Sequence, residues 1–296
     1  MRGVIAPVPT PFGPDLAPDA RKFTAFCRVL VHLGLGLVPF GTTGEGTSLS
    51  VDEKLALLDA LAGGGVPMGQ VMAGTGACAL PDAARLTAHA VKLGCGGALM
   101  LPPFYFKGVS EEGLFRFYAE VIERVGDARL RLYLYHFPLH AGVGIGHGLI
   151  ARLLKAYPAT VVGIKDSSGD FARMESVCRA FPGFDLFTGS DALMLKVLRA
   201  GGAGCIATNA NINGAAMVEL HRRWRDDDAD LLQDAIAAFS QAMAGFPLVP
   251  SVKALVAMAS GDDAWRLVRP PLEAMPASED AAITARLAEA GYPLEG

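Results

Sequence analysis

Lys165 closes the apolar half of the run VVGIKDSSGD, between Val161 and Asp170. Lysines normally occupy solvated surface, so the position admits two readings. In the first, Lys165 is a strand-end charge paired with the adjacent Asp166. In the second it is a reactive amine. Removal from water disfavours the charged form of a lysine, and a neutral amine attacks a ketone or aldehyde to give a Schiff base. Such an adduct withdraws electrons, so the carbon beside the former carbonyl gains or loses a proton or an aldehyde. That chemistry needs a proton carrier, and Tyr135, near the end of RLYLYHF, offers a phenol. Its competing role is a core tyrosine with its hydroxyl satisfied by backbone. The stretch GTTGEG from Gly41 adds the hydroxyls of Thr42 and Thr43 and a chain of backbone N–H groups between glycines. That equipment suits a carboxylate. A plain loop is the alternative, and the Gly-Lys-Ser/Thr ending of a phosphate loop is missing.

Other chemistries fare worse. His136, His140 and His147 cluster in sequence, but Pro138 separates the first two at a strand end, and no His-Glu-x-x-His pattern follows. No metal is therefore expected. Ser167 and Ser168 have no triad partner. A lysine adduct is its own electron sink, so no organic cofactor is required either.

These side chains need a scaffold that brings them to one face. Short apolar runs alternate with segments of helical period: GVIAPVP from Gly3, GLVPFG from Gly36, GQVMAG from Gly69, GGALMLP from Gly96, RLYLYHF from Arg131, TVVGIKD from Thr160, FDLFTG from Phe184 and AGCIATN from Ala203. Between them lie helices such as PDAARLTAHAVKLG, ended by Gly94, and SVDEKLALLDALAGG, where Ser50 and Glu53 form a capping box. Eight strands, apolar on both faces and each followed by a helix, predict an α/β fold of the (β/α)₈ TIM-barrel type. The barrel is expected over residues 1–224 and a C-terminal helical extension over 225–296, with the charged run RRWRDDDADLLQDA at the junction as a solvated corner. Catalytic groups of such barrels lie at the C-terminal ends of strands, where GTTGEG, YHFP, IKDSSG, TGSD and ATNANI all fall.

Composition sets further bounds. The 296 residues are 51% hydrophobic and 19% charged, with a net charge of −4, which argues against nucleic acid and an anionic membrane surface as partners. Cys27, Cys78, Cys95, Cys178 and Cys205 are scattered without a Cys-x-x-Cys pair, the pattern of reduced thiols. No signal-like or membrane-spanning apolar run is present, so a cytoplasmic protein is expected.

In this order, GTTGEG, YHFP, GIKDSSGD, TGSD and GCIATNANI resemble the dihydrodipicolinate synthase/N-acetylneuraminate lyase family of class I aldolases, together with VIAPVPTPF, LPPFYFKGVSEEGL and VRPPL. The likeness covers essentially the whole chain. It implies a (β/α)₈ barrel with a C-terminal helical extension, assembled as a homotetramer. It implies Lys165 as the Schiff-base lysine for pyruvate or another 2-keto acid, Tyr135 as the proton relay, and Thr42 and Thr43 as the pair that holds the keto-acid carboxylate. Tyr105 matches an aromatic hydroxyl exchanged between subunits, and Gly189 and Ile206 match backbone positions around the keto acid.

Departures bear on the aldehyde partner. His140 stands where dihydrodipicolinate synthases carry an arginine for the second carboxylate, and imidazole does not replace that fork. Asp191 is followed by Ala192, where sialic acid lyases have a glutamate for sugar hydroxyls. The expected function is a Schiff-base aldolase or lyase acting between pyruvate and an aldehyde, on a 2-keto-3-deoxy sugar acid or similar compound. The alternatives are a dihydrodipicolinate synthase that uses His140 with aspartate semialdehyde, and a non-catalytic keto-acid-binding barrel.

Overall fold

Apolar runs bounded by glycine and proline become the eight strands of a computed structural model that describes residues 1–292. They are β1 (Gly3–Pro7), β2 (Gly36–Val38), β3 (Met72–Gly74), β4 (Gly97–Met100), β5 (Leu132–His136), β6 (Val161–Asp166), β7 (Asp185–Thr188) and β8 (Gly204–Ile206). The helices are α1 (Ala20–His32), α2 (Val51–Gly63), α3 (Leu80–Lys92), α4 (Glu111–Val125), α5 (Pro138–Ala141), α6 (His147–Ala156), α7 (Phe171–Ala180), α8 (Met194–Arg199), α9 (Gly214–Arg223), α10 (Ala229–Met243), α11 (Leu248–Ser260) and α12 (Asp280–Glu289). Among the described residues, no single helix is long and apolar enough to cross a membrane.

All strand pairs are parallel, in the order β2-β1-β8-β7-β6-β5-β4-β3. A lone parallel bridge between Leu37 and Val71 joins the two ends, closing the barrel. The expected strand at Gly69 starts later, at Met72. Pro67 begins a single 3₁₀ turn over Met68–Gln70 in which the Gln70 N–H donates to the Pro67 carbonyl. Strand β2 stops at Val38 because Pro39 has no N–H and Phe40 turns left-handed at φ 63°. Ser50 and Glu53 cap α2 reciprocally, as their spacing predicts, a device worth about 1 kcal/mol.

Alternation along the strands sorts side chains between two cores. Ile5, Val38, Met72, Leu99, Tyr133, Tyr135, Phe187 and Ile206 fill the barrel interior. The residues between them, such as Leu132, Leu134, Ile164 and Leu186, pack outward under the helices. Tyr133 fits only because its register partner on β6, Gly163, and Gly97 at the start of β4 both lack a side chain. A Cβ on Gly97 would come within 2.7 Å of the Tyr133 ring, and one on Gly163 within 2.6 Å. After the barrel, α10–α12 form a separate apolar cluster around Phe239, Leu255, Ile283 and Leu287. Helix α11 is buried at every residue from Val249 to Ala257, as an apolar helix inside a fold should be.

Candidate active site

Strand alternation decides between the two readings of Lys165. On β6, Gly163 and Lys165 face the barrel interior while Ile164 and Asp166 face the helices. Asp166 is fully buried on that outer side. Its Oδ1 accepts from the N–H and hydroxyl of Ser168 at 2.9 and 2.6 Å, and its Oδ2 lies 3.2 Å from Arg173 Nε on α7. The carboxylate is committed there, and the ion pair with Lys165 does not form. Lys165 is 4% exposed and sits in register with Tyr135 of β5. Its Nζ lies 4.4 Å from the centroid of the Tyr135 ring.

Tyr135, also 4% exposed, shares a hydrogen bond of 3.3 Å with the Thr42 hydroxyl. Burial pushes its phenol up, but the charge of Lys165 and the polar side chains of Thr42 and Ser167 outweigh it, leaving the phenol below its ordinary value. Thr43 is buried and bonds to the Thr208 hydroxyl at 2.8 Å rather than to the tyrosine. The GTTGEG turn holds this pair because Gly44 and Gly46 lie against backbone, where a Cβ would come within 2.7 Å of the Val8 carbonyl and 2.0 Å of the Phe40 carbonyl.

These groups open on a cavity of about 390 Å³, lined by Thr42, Thr43, Tyr135, Lys165, Ser167, Gly189, Asp191, Ile206 and residues 243–246, where α10 ends and turns toward α11, among others. Ile206 contributes from the interior end of β8. The Gly189 N–H is already taken by the Asp166 carbonyl at 2.7 Å, and a Cβ there would come within 2.1 Å of the Ser167 hydroxyl. Asp191 is buried and partly satisfied: Oδ1 accepts from Ser240 Oγ at 2.5 Å and from the Ala192 N–H at 3.1 Å, and Oδ2 accepts from Asn209 Nδ2 at 2.8 Å.

A second, more apolar cavity of about 750 Å³ shares Thr42, Tyr135 and Leu248 with the first. His140 lines it, stacked on Phe137 with centroids 4.2 Å apart, so it stands beside the Lys165 cavity rather than within it. Tyr105 lines neither. It is 75% exposed and packs edge-on against Phe106. The other two histidines of the sequence cluster lie outside both cavities: His136 accepts the Ile145 N–H at 3.0 Å and meets Arg173, and His147 bonds to Ser176. Among the described residues, Lys165 is the only lysine or arginine lining either cavity.

Sequence reasoning assigns no role to Thr208, Asn209 or Ser240. The first two lie in ATNANI at a strand end, which is a usable signal. Ser240 sits mid-helix in α10 and carries none.

A parallel barrel with an amine, a phenol and paired hydroxyls converging at the C-terminal ends of its strands has the layout of a barrel enzyme. The chain belongs to the dihydrodipicolinate synthetase family, which it matches over residues 1–290, and it is a lyase of that family. It is 37% identical over 207 residues to an uncharacterized DapA-like lyase of Chloroflexus aurantiacus, a match covering 69% of each chain. The dihydrodipicolinate synthase of Agrobacterium tumefaciens superposes with a TM-score of 0.89 at 30% identity, over 98% of this chain and 99% of that one. YagE of E. coli K12, a family member solved in complex with pyruvate, superposes with a TM-score of 0.89 at 27% identity, over 99% of both.

Proposed function

We propose that the protein is a Schiff-base aldolase that makes or cleaves the bond between a pyruvyl unit and a polyhydroxylated aldehyde, as in a 2-keto-3-deoxy sugar acid. The observation that carries this is the in-register pair of Lys165 and Tyr135, amine against phenol, inside one cavity. Lys165 Nζ attacks the keto carbon and water leaves, giving an iminium. In the cleavage direction, Tyr135 takes the proton from the hydroxyl on the fourth carbon, the bond between carbons three and four breaks, and its electron pair passes into the iminium as an enamine. Protonation of carbon three and hydrolysis then release pyruvate and restore the amine. Thr42, Thr43 and the turn that carries them hold the carboxylate.

The choice of aldehyde follows from charge. With Lys165 spent on the keto group, no other lysine or arginine among the described residues lines either cavity to meet a second carboxylate, whereas Ser167, Ser190, Asn209 and Ser240 can meet hydroxyls. Relatives named 4-hydroxy-tetrahydrodipicolinate synthase favour the other reading, with aspartate semialdehyde as acceptor and His140 as its partner.

One experiment separates them. Borohydride added with pyruvate is expected to place a reduced pyruvyl group on Lys165, and a panel of 2-keto-3-deoxy acids is expected to release pyruvate faster than semialdehyde condenses. His140→Arg carried through the same panel is expected to gain no semialdehyde activity, since His140 lies outside the Lys165 cavity. Absence of an adduct sinks the mechanism; preferred semialdehyde turnover sinks the substrate. We further propose a homotetramer, in which the exposed Tyr105–Phe106 pair is covered by a partner subunit. Light scattering is expected to give four times the chain mass, and a monomer overturns it.

A further inference from the structure

VIAPVPTPF and VRPPL belong to the sequence pattern but contribute no side chain to the Lys165 cavity. They converge instead on Glu45, three residues after Thr42. The Glu45 and Lys253 side chains are both wholly inaccessible to solvent, and Lys253 Nζ donates to Glu45 Oε1 at 2.6 Å. Glu45 Oε2 accepts the Arg269 N–H at 2.9 Å. Lys253 comes from α11 and also donates to the Leu267 carbonyl. The Arg269 guanidinium donates to the Leu16 and Ser48 carbonyls at 2.7 Å and pairs with Glu53. Phe12 underlies both cations, its ring centroid 4.4 Å from Lys253 Nζ and 4.9 Å from the Arg269 guanidinium. Burial lowers the Lys253 ammonium to about 8 even against the pull of Glu45.

This cluster acts on the site through the turn itself. Glu45 is left-handed at φ 52°, a conformation that a non-glycine residue keeps only when its surroundings impose it. Its N–H donates to the Thr42 carbonyl at 3.1 Å, and Gly46 N–H closes back on Gly41. Movement of Glu45 therefore moves Thr42, whose hydroxyl meets Tyr135. We propose that Glu45, Lys253 and Arg269 form a positioning centre by which the C-terminal helices set the Thr42–Thr43 clamp on the keto-acid carboxylate. The proposal rests on the reading of that pair as the clamp.

The test compares Glu45→Gln, Lys253→Met and the double variant, which removes both charges and leaves neither orphaned. Melting temperature, borohydride trapping at Lys165 and the KM of each substrate are measured. A misplaced clamp costs binding of one substrate, so the double variant is expected to raise the pyruvate concentration for half-trapping by about tenfold or more, while the aldehyde KM stays within about twofold. Lys253→Arg, which keeps the charge, is expected to restore part of the loss. Parent-like pyruvate dependence in the double variant overturns the proposal, as do equal losses with both substrates. If the neutral variants do not fold, Arg269→Lys decides it, with raised pyruvate KM supporting and unchanged KM overturning. A parent enzyme that forms no adduct marks failure of the functional reading instead.

Discussion

Lys165→Ala is expected to form no borohydride adduct with pyruvate and to turn over at least about 10⁴-fold more slowly than the parent, the scale on which removal of a nucleophile acts. The fold should survive the change. Removing a buried charge is costly when it strands an opposite charge, but Asp166 is held on the outer face of β6 by Ser168 and Arg173. What the variant loses inside the barrel is the amine over the Tyr135 ring. Lys165→Arg separates nucleophile from charge: it keeps a cation near the phenol, yet a guanidinium forms no iminium, so it is expected to be as inactive as the alanine variant. Mass spectrometry and steady-state turnover read both. An adduct at another lysine, or a loss under tenfold in Lys165→Ala, overturns the assignment.

Tyr135→Phe is expected to lower turnover by about 10²- to 10³-fold, within the range for loss of a positioned acid–base group, while pyruvate still traps slowly on Lys165. The ring and its packing on Phe137 remain, so the deleted hydroxyl is the only change at the site. A spectroscopic signature accompanies it. The Tyr135 phenol lies below its ordinary value, because Lys165, Thr42 and Ser167 overcome the burial that pushes it up. Burial raises Tyr118 and Tyr133 instead. Tyr135 is therefore expected to ionise ahead of Tyr118 and Tyr133 in the parent, and the variant is expected to lose one tyrosine's share of the early absorbance change. Identical titration curves, or unaltered turnover, would contradict the relay.

The barrel is legible in the sequence because each strand is a short apolar run between glycine or proline breaks, and such runs fit a parallel sheet buried on both faces. Lys165 is half legible. Its chemistry can be read from residue type, but its independence from Asp166 depends on which face of β6 each occupies. Thr208 is hinted at by its place beside a strand end. Ser240 and the Met243–Phe246 roof are invisible, since they reach the cavity only through the packing of α10 and α11 over the barrel mouth. Tyr105 and His140 are marked by resemblance alone: on the single chain the first is exposed, as a residue offered to a partner would be, and the second lines the neighbouring cavity.

The opposite facing of Lys165 and Asp166 also constrains how this chain can change over evolutionary time. The β5–β6 ladder has a register irregularity at Val162, but beyond it, deletion or insertion of one codon between Gly163 and Asp166 would send the lysine into the helical layer and the carboxylate into the barrel, reversing both roles at once. Length variation among descendants should therefore collect in the connections between strands, including the one from His136 to Val161, where it leaves that parity intact, and the run from Gly163 to Asp166 should be inherited at fixed length.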